Sequence, residues 1–164
     1  MVGITRRSVE RTAQLLAGPA GIEENLAAIV EGDGLTAAGM PECSVMTANL
    51  AAELVDKNPS LRYPIAQVKC EQLVNSLQEK FRQFSGKARI CVELRVTHDR
   101  IEEIDRLAHF YAGAVARVLE QNRGDWGNGM FYGGGYEVSF RPAKHGGKNY
   151  VQSAAVRFDV ELSL

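Results

Sequence analysis

The apolar pattern of this chain predicts an α+β fold: an antiparallel or mixed β-sheet with one long helix packed on one face, in the order β-β-α-β-β, plus N-terminal helices. Three observations predict it. Ala88 to His98 and Val156 to Leu162 each alternate apolar with polar residues, the two-residue period of a strand with one face in a core. Between them, Ile101 to Leu119 repeats apolar side chains at three- and four-residue steps, a single helical stripe. The 164 residues, 45% hydrophobic and 24% charged, suit one domain over 1–164 with enough chain to bury a core without a disulfide or metal.

Taken in order, Ser8 stands where it would cap a helix carrying Val9, Ala13, Leu15 and Leu16, and Gly18-Pro19-Ala20-Gly21 punctuates it. Ile22, Leu26, Ile29 and Val30 form a second helical stripe, stopped by Gly32-Asp33-Gly34. From 35 to 61 the signal is weak. Val45 to Ala52 reads equally as strand or helix, Asn58-Pro59-Ser60 as a turn, and the stretch as a loop or arm. Past Tyr63, Pro64, Ala66, Val68 and Cys70 alternate with Ile65, Gln67, Lys69 and Glu71, a first strand placed at an edge because Pro64 has no amide donor. Leu73 to Phe84 is polar enough to read as a connecting excursion ended by Ser85-Gly86.

In the next strand, Ala88, Ile90, Val92, Leu94, Val96 and His98 face a core while Arg89, Cys91, Glu93, Arg95 and Thr97 face water. Asp99 follows as a helix N-cap with Glu102 in a capping-box position, and Glu102, Glu103 and Asp105 suit the positive helix end. Ile101, Ile104, Ala108, Tyr111, Ala112, Val115, Val118 and Leu119 make the stripe, and Asn122-Arg123-Gly124 ends it. Gly124 to Gly135 reads as a flexible loop or bulge that partly exposes Trp126, Met130, Phe131 and Tyr132 as a contact surface. Tyr136, Val138 and Phe140 alternate up to Pro142, and after a turn over 144–149 the last strand runs to Leu162 with Arg157, Asp159 and Glu161 on its wet side. The strands at 88–98 and 150–162 would extend roughly 35 to 40 Å. Edges that long call for partner subunits, which weakly favours a closed oligomer.

Charge and motif content exclude several functions. A net charge of -1 offers no basic field for gripping phosphates, so DNA enters the expectation only as passing cargo. No signal-peptide core or membrane-spanning run is present, which predicts a cytosolic, non-membrane protein. Cys43, Cys70 and Cys91 are odd in number and widely spaced, against both a disulfide framework and a zinc site. His98, His109 and His145 have no nucleophile nearby in sequence, and Cys91 with His98 is no dyad, since an offset of seven puts them on opposite strand faces. Gly133-Gly134-Gly135 lacks the Lys-Ser/Thr and the helix of a phosphate loop. Arg123-Gly124-Asp125 is read as a coincidental match to an integrin-binding tripeptide, and Glu102, Glu103 and Asp105 as helix-end electrostatics. The expectation is no catalytic residue, no cofactor and no metal.

Three stretches carry a resemblance: "NLAAIV" at Asn25 to Val30, "RYPIAQVKCE" at Arg62 to Glu71, and "GKARICVELRVTHDRIEEIDRLAHFYAGAVARVL" from Gly86 to Leu119. The closing "GGYEVSF" and "AAVRFDVEL" complete the layout. Together they resemble the tail-terminator, or tail-completion, proteins of long-tailed phages and prophages. The resemblance implies a hexameric ring that caps the tail tube, ends its polymerisation and presents a surface to the head-proximal neck. Its implied partners are other copies of itself, the tail tube protein, and sheath, neck or connector proteins, at the head-proximal end of a virion assembled in the host cytoplasm. The segments 35–59 and 72–84 depart from shorter members and leave a sibling role as head-tail connector open. Expected subunit or tube contacts are Arg89, Glu93, Arg95, Trp126, Phe131, Tyr132, Arg157, Asp159 and Glu161. The rival from another class is a small enzyme or ligand-binding module built from Trp126, Phe131, Tyr132 and His145.

Overall fold

A computed structural model describes residues 2–164. The chain opens with helix α1 (Val2–Ala17) and helix α2 (Ile22–Gly32), then a short strand β1 (Ser44–Met46) and a short helix α3 (Ala52–Lys57). Two long strands follow, β2 (Ile65–Asn75) and β3 (Ser85–His98), and then the long helix α4 (Ile101–Gln121). The chain continues through β4 (Gly124–Gly127), β5 (Met130–Tyr132), β6 (Tyr136–Phe140), β7 (Lys144–His145) and β8 (Tyr150–Ser163). All eight strands belong to one mixed sheet, ordered β1-β2-β3-β8-β5-β4, with β6 and β7 also paired to β8. The fold is α+β, as the periodicities predict, with more strands than the β-β-α-β-β core.

The centre of the sheet is the antiparallel ladder of β3 and β8, continuous from Ser85↔Ser163 to His98↔Tyr150. The opposite edge of β8 is shared by three short strands: β7 at 150–151, β6 at 154–158 and β5 at 161–162. β2 lies antiparallel on the free side of β3 and carries a bulge between Cys70 and Gln72. It runs on to Asn75, so Leu73 and Val74 belong to the sheet rather than to a connecting excursion. The edge placement of β2 holds over most of its length, because β1 covers only 65–67, in parallel.

Alternation sorts the side chains onto two faces. Ala88, Ile90, Val92, Leu94 and Val96 of β3, with Ala154, Val156, Phe158 and Val160 of β8, are buried against the helices. On α4, Ile104, Ala108, Tyr111, Ala112, Val115, Val118 and Leu119 form the expected buried stripe, whereas Ile101 is exposed. Phe110, Ala114 and Ala116 are buried as well, because α2 packs on α4 from the side away from the sheet. Asn25 fastens that contact: its amide donates to the Gln121 Oε1 at 3.1 Å and accepts from the Gln121 Nε2 at 3.0 Å. Gly21 at the start of α2 has to be glycine, since a Cβ there would sit 2.1 Å from the Leu16 carbonyl oxygen.

Three local expectations are corrected. Ser8 is not a cap; it sits inside α1, fully buried, its hydroxyl donating to the Ile4 carbonyl at 3.2 Å. Thr12 does the same to Ser8 at 2.8 Å, so both hydroxyls are satisfied within the helix and the small polar face packs inward. Asp99 is not the N-cap of α4 either. Arg100 holds that position without a side-chain cap, and its amide donates to the His98 Nδ1 at 2.9 Å.

The segment 35–61 is the third. It is folded onto the domain rather than loose. The Tyr111 hydroxyl donates to the Pro41 carbonyl, and the Glu23 carboxylate accepts the Cys43 amide at 2.9 Å, which holds the incoming chain on the helix side. β1 then pairs beside β2, and α3 lies over the other face of the sheet. Val55, Ile65 and Val151 are buried apart from the main core. The wet face of β3 is therefore wet only in part: Arg95 is buried and bonded to α3, and Cys91 is buried with Glu71, Arg157 and Lys69 as its charged neighbours.

Candidate assembly surfaces

The sheet face away from the helices carries a lattice of ion pairs set by strand register. Arg89 and Asp159 are directly opposed across β3 and β8, with Nε to Oδ1 at 2.9 Å, and Lys87 reaches the same carboxylate at 3.3 Å. Glu93 takes Lys69 of β2 at 2.8 Å, and Arg157 reaches across β3 to Glu71 at 3.0 Å. Pairs of this kind, screened by solvent to different degrees, set strand register more than they add stability. Lys87, Arg89, Arg157 and Asp159 line an open groove of about 350 Å³ beside β6 and β8, with Glu137 and Glu161 at its sides.

Arg95 is different. Its guanidinium is buried and doubly bonded to Asp56 of α3, at 2.7 and 2.6 Å, so it serves the α3 cover and is not a subunit contact. Burial alone would raise the Asp56 carboxyl, but hydrogen bonds from Arg95 and Tyr63 overcome it and hold it below its ordinary range. For Glu71 burial is likewise outweighed by Arg157, and Asp159 is lowered chiefly by the hydrogen bond from Arg89, against burial.

Folded-state values below the unfolded ones mean stability that is present above the unfolded pKa and lost as pH falls through the folded pKa. The urea midpoint should hold steady above about pH 5 and fall below about pH 4. Asp56→Asn should lower the neutral plateau and flatten part of that fall. Identical pH profiles for the two proteins would show that this pair is not formed.

Trp126 and Tyr132 also leave the contact set. The glycine-rich segment is a hairpin, β4 to β5, turned at Asn128 and Gly129, both with positive φ. Trp126 and Tyr132 point inward and pack with Phe158, ring centroids 5.3 to 6.2 Å apart, at 8% and 0% exposure. Burial pushes the Tyr132 hydroxyl up to about 12. Only Phe131, on the other side of β5, projects into solvent at 47% exposure.

The ligand module imagined around these aromatics does not assemble. Phe131 pairs with Glu161 near one end of β8 and His145 with Tyr150 at the other, about 35 Å along the strand. The remaining histidines are occupied locally, His109 stacking on Phe140 at 4.0 Å. Burial pushes the Cys43 and Cys91 thiols up to about 12, far from the thiolate a nucleophile needs. Among the described residues no group of three or more His, Cys, Asp or Glu side chains is placed to hold a metal ion, and no helix is long and apolar enough to cross a membrane.

The most exposed apolar side chains lie in the segment that was expected to be a mere excursion. The loop joining β2 to β3 is pinned at its base. Ser76 and Leu77 donate to the Ser85 carbonyl, both at 2.9 Å, and Gln83 and Phe84 donate to the Leu164 carbonyl at 2.9 and 3.1 Å. On this base Phe81 is fully exposed, Leu77 is 62% exposed, and both hold left-handed backbone, φ 67° and 49°. Such a conformation costs about 1 to 2 kcal/mol per residue outside glycine, so the tip spends stability to display two apolar side chains. A sequence signal exists: a long alternating run on either side of a polar stretch interrupted by single apolar residues is a hairpin with a decorated tip.

Compared with known proteins, the chain matches no family profile and no curated relative.

Proposed function

We propose that this chain is a structural, non-catalytic subunit that closes into a ring, hexameric by its resemblance to tail terminators. The ring caps a phage-type tail tube, ends its polymerisation and offers the head-proximal joining surface of a virion. The observation that carries this reading is the β2–β3 hairpin, pinned at its base, which holds Leu77 and Phe81 in water on left-handed backbone at a cost that a partner's cover would offset.

Two further features support it. The edge of β2 beyond β1 leaves main-chain groups open for another chain, as an assembling sheet requires. The mixed signs of Arg89, Glu93, Arg157, Asp159 and Glu161 give a face that can register against a neighbour or line a channel that DNA slides through without being gripped. Phe131, next to that face, is the one aromatic of the expected set still free to meet a partner.

Native mass spectrometry of the purified full chain, alone and with tail tube protein, is the test. A discrete ring mass, or one that forms on adding tube protein, is the expected result. A monomer under both conditions would eliminate the reading, and a ring that ignores tube protein but joins a neck component would move it to the connector role.

A further inference from the structure

We infer that the tip of the β2–β3 hairpin in one copy seats in a groove at the far end of β3 in the next copy, with Phe81 as the plug. This rests on the reading of the chain as a ring subunit and specifies which surfaces meet.

The groove lies between the end of α2 and the first turns of α4 and is lined by Val30, Leu35, Met40, Leu107 and Phe110, with His98 at its edge. Its volume is about 220 Å³. A cavity of about 150 Å³ holds a benzene ring, so one phenyl side chain fits here. Leu35 stands partly exposed at the mouth, an apolar rim left in water in the single copy.

Position excludes self-filling. The tip adjoins Ser85 and the groove adjoins His98, the two ends of a 14-residue strand, about 45 Å apart. A knob at one end and a hole at the other make a head-to-tail contact, the kind that generates a ring where the rotation closes. Charge agrees with it. At the tip Arg82 pairs with Glu79, which leaves Lys80 as its uncompensated charge. At the groove the lining pair of Glu103 and Arg106 is neutral, and Asp33, Asp99 and Glu102, close in sequence to lining residues, outnumber Arg100. The base of the hairpin is already tied to Ser85, Ser163 and Leu164, so little ordering remains to be paid on docking.

Sedimentation and native mass spectrometry of the full chain test this with Phe81→Ala, Lys80→Glu, and the paired swap Lys80→Glu with Glu102→Lys. Phe81→Ala should raise the dissociation constant of the ring about 30-fold or more while leaving unchanged the melting temperature measured at concentrations where both proteins are single copies, since the side chain is fully exposed there. Lys80→Glu should weaken assembly and the paired swap should restore it. If wild type forms rings and all three variants form them equally well, the docking is wrong and the ring reading stands. If Phe81→Ala keeps the ring but loses tube protein, the hairpin meets the tube instead, which also overturns the docking. A wild type that stays monomeric alone and with tube protein removes both.

Discussion

Val115→Asp should yield a chain without a cooperative melt. Val115 is fully buried midway along α4, on the face turned to the sheet. An aspartate there has to carry a charge into an apolar core or remain protonated at neutral pH, and no cationic side chain lies on its stripe to compensate. The expected loss exceeds about 4 kcal/mol, comparable with the whole stability of a domain this size. Val115→Ala, which removes volume without adding charge, should fold with a lowered urea midpoint. Far-UV circular dichroism through a urea titration separates the two. A Val115→Asp protein that melts cooperatively near the wild-type midpoint would show that α4 does not face the sheet.

The second large effect separates the two neighbours Phe131 and Tyr132. Tyr132→Ala opens a hole beside Trp126 and Phe158 and removes a hydroxyl that donates to the Gly135 carbonyl at 3.2 Å. Aromatic-to-alanine changes in a core cost about 3 to 5 kcal/mol, and at 2 to 4 °C per kcal/mol the melting temperature should drop by roughly 10 °C. Phe131→Ala, one residue away on the solvent side of β5, should move it by no more than a degree or two. Equal shifts for the two variants in a thermal melt would mean that the β4–β5 hairpin is not seated as described.

These two sites also mark where sequence reasoning succeeded and where it stopped. The stripe around Val115 was legible because α4 buries it against one continuous surface, so a single 3.6-residue period survives in the sequence. Phe110, Ala114 and Ala116 were not, since their burial depends on α2, an element about 80 residues earlier whose position no local pattern encodes. Tyr132 was misassigned because glycines and aromatics together suggested an exposed loop, although Asn128-Gly129 is the strongest short-range signal for a tight hairpin and was present.

The segment 35–61 stayed opaque for a different reason. β1 has three residues and α3 six, too few to show a period, and what fastens them is tertiary: Arg95 to Asp56 and the Gln67 amide to the Leu50 carbonyl. Arg95 looked like any other outward residue of an alternating strand. Only its burial and its carboxylate partner Asp56 reveal that it is structural. The exposed tip at Phe81 was hidden by the opposite effect, since the loop has no core role and so leaves no hydrophobic period at all.

The way β8 is shared has a consequence for synthesis. Every strand it joins leaves the ribosome before it does, and β3 holds up its long unpaired side until Tyr150 to Ser163 arrives. The closing step is a non-local one, about 60 residues after β3, so folding is gated by a late event and is slow relative to a helical protein of this length. A nascent or truncated chain that lacks β8 is an adhesive intermediate with three short strands that have nothing to lean on. The same strand that completes the monomer thereby sets when newly made copies are safe to meet one another.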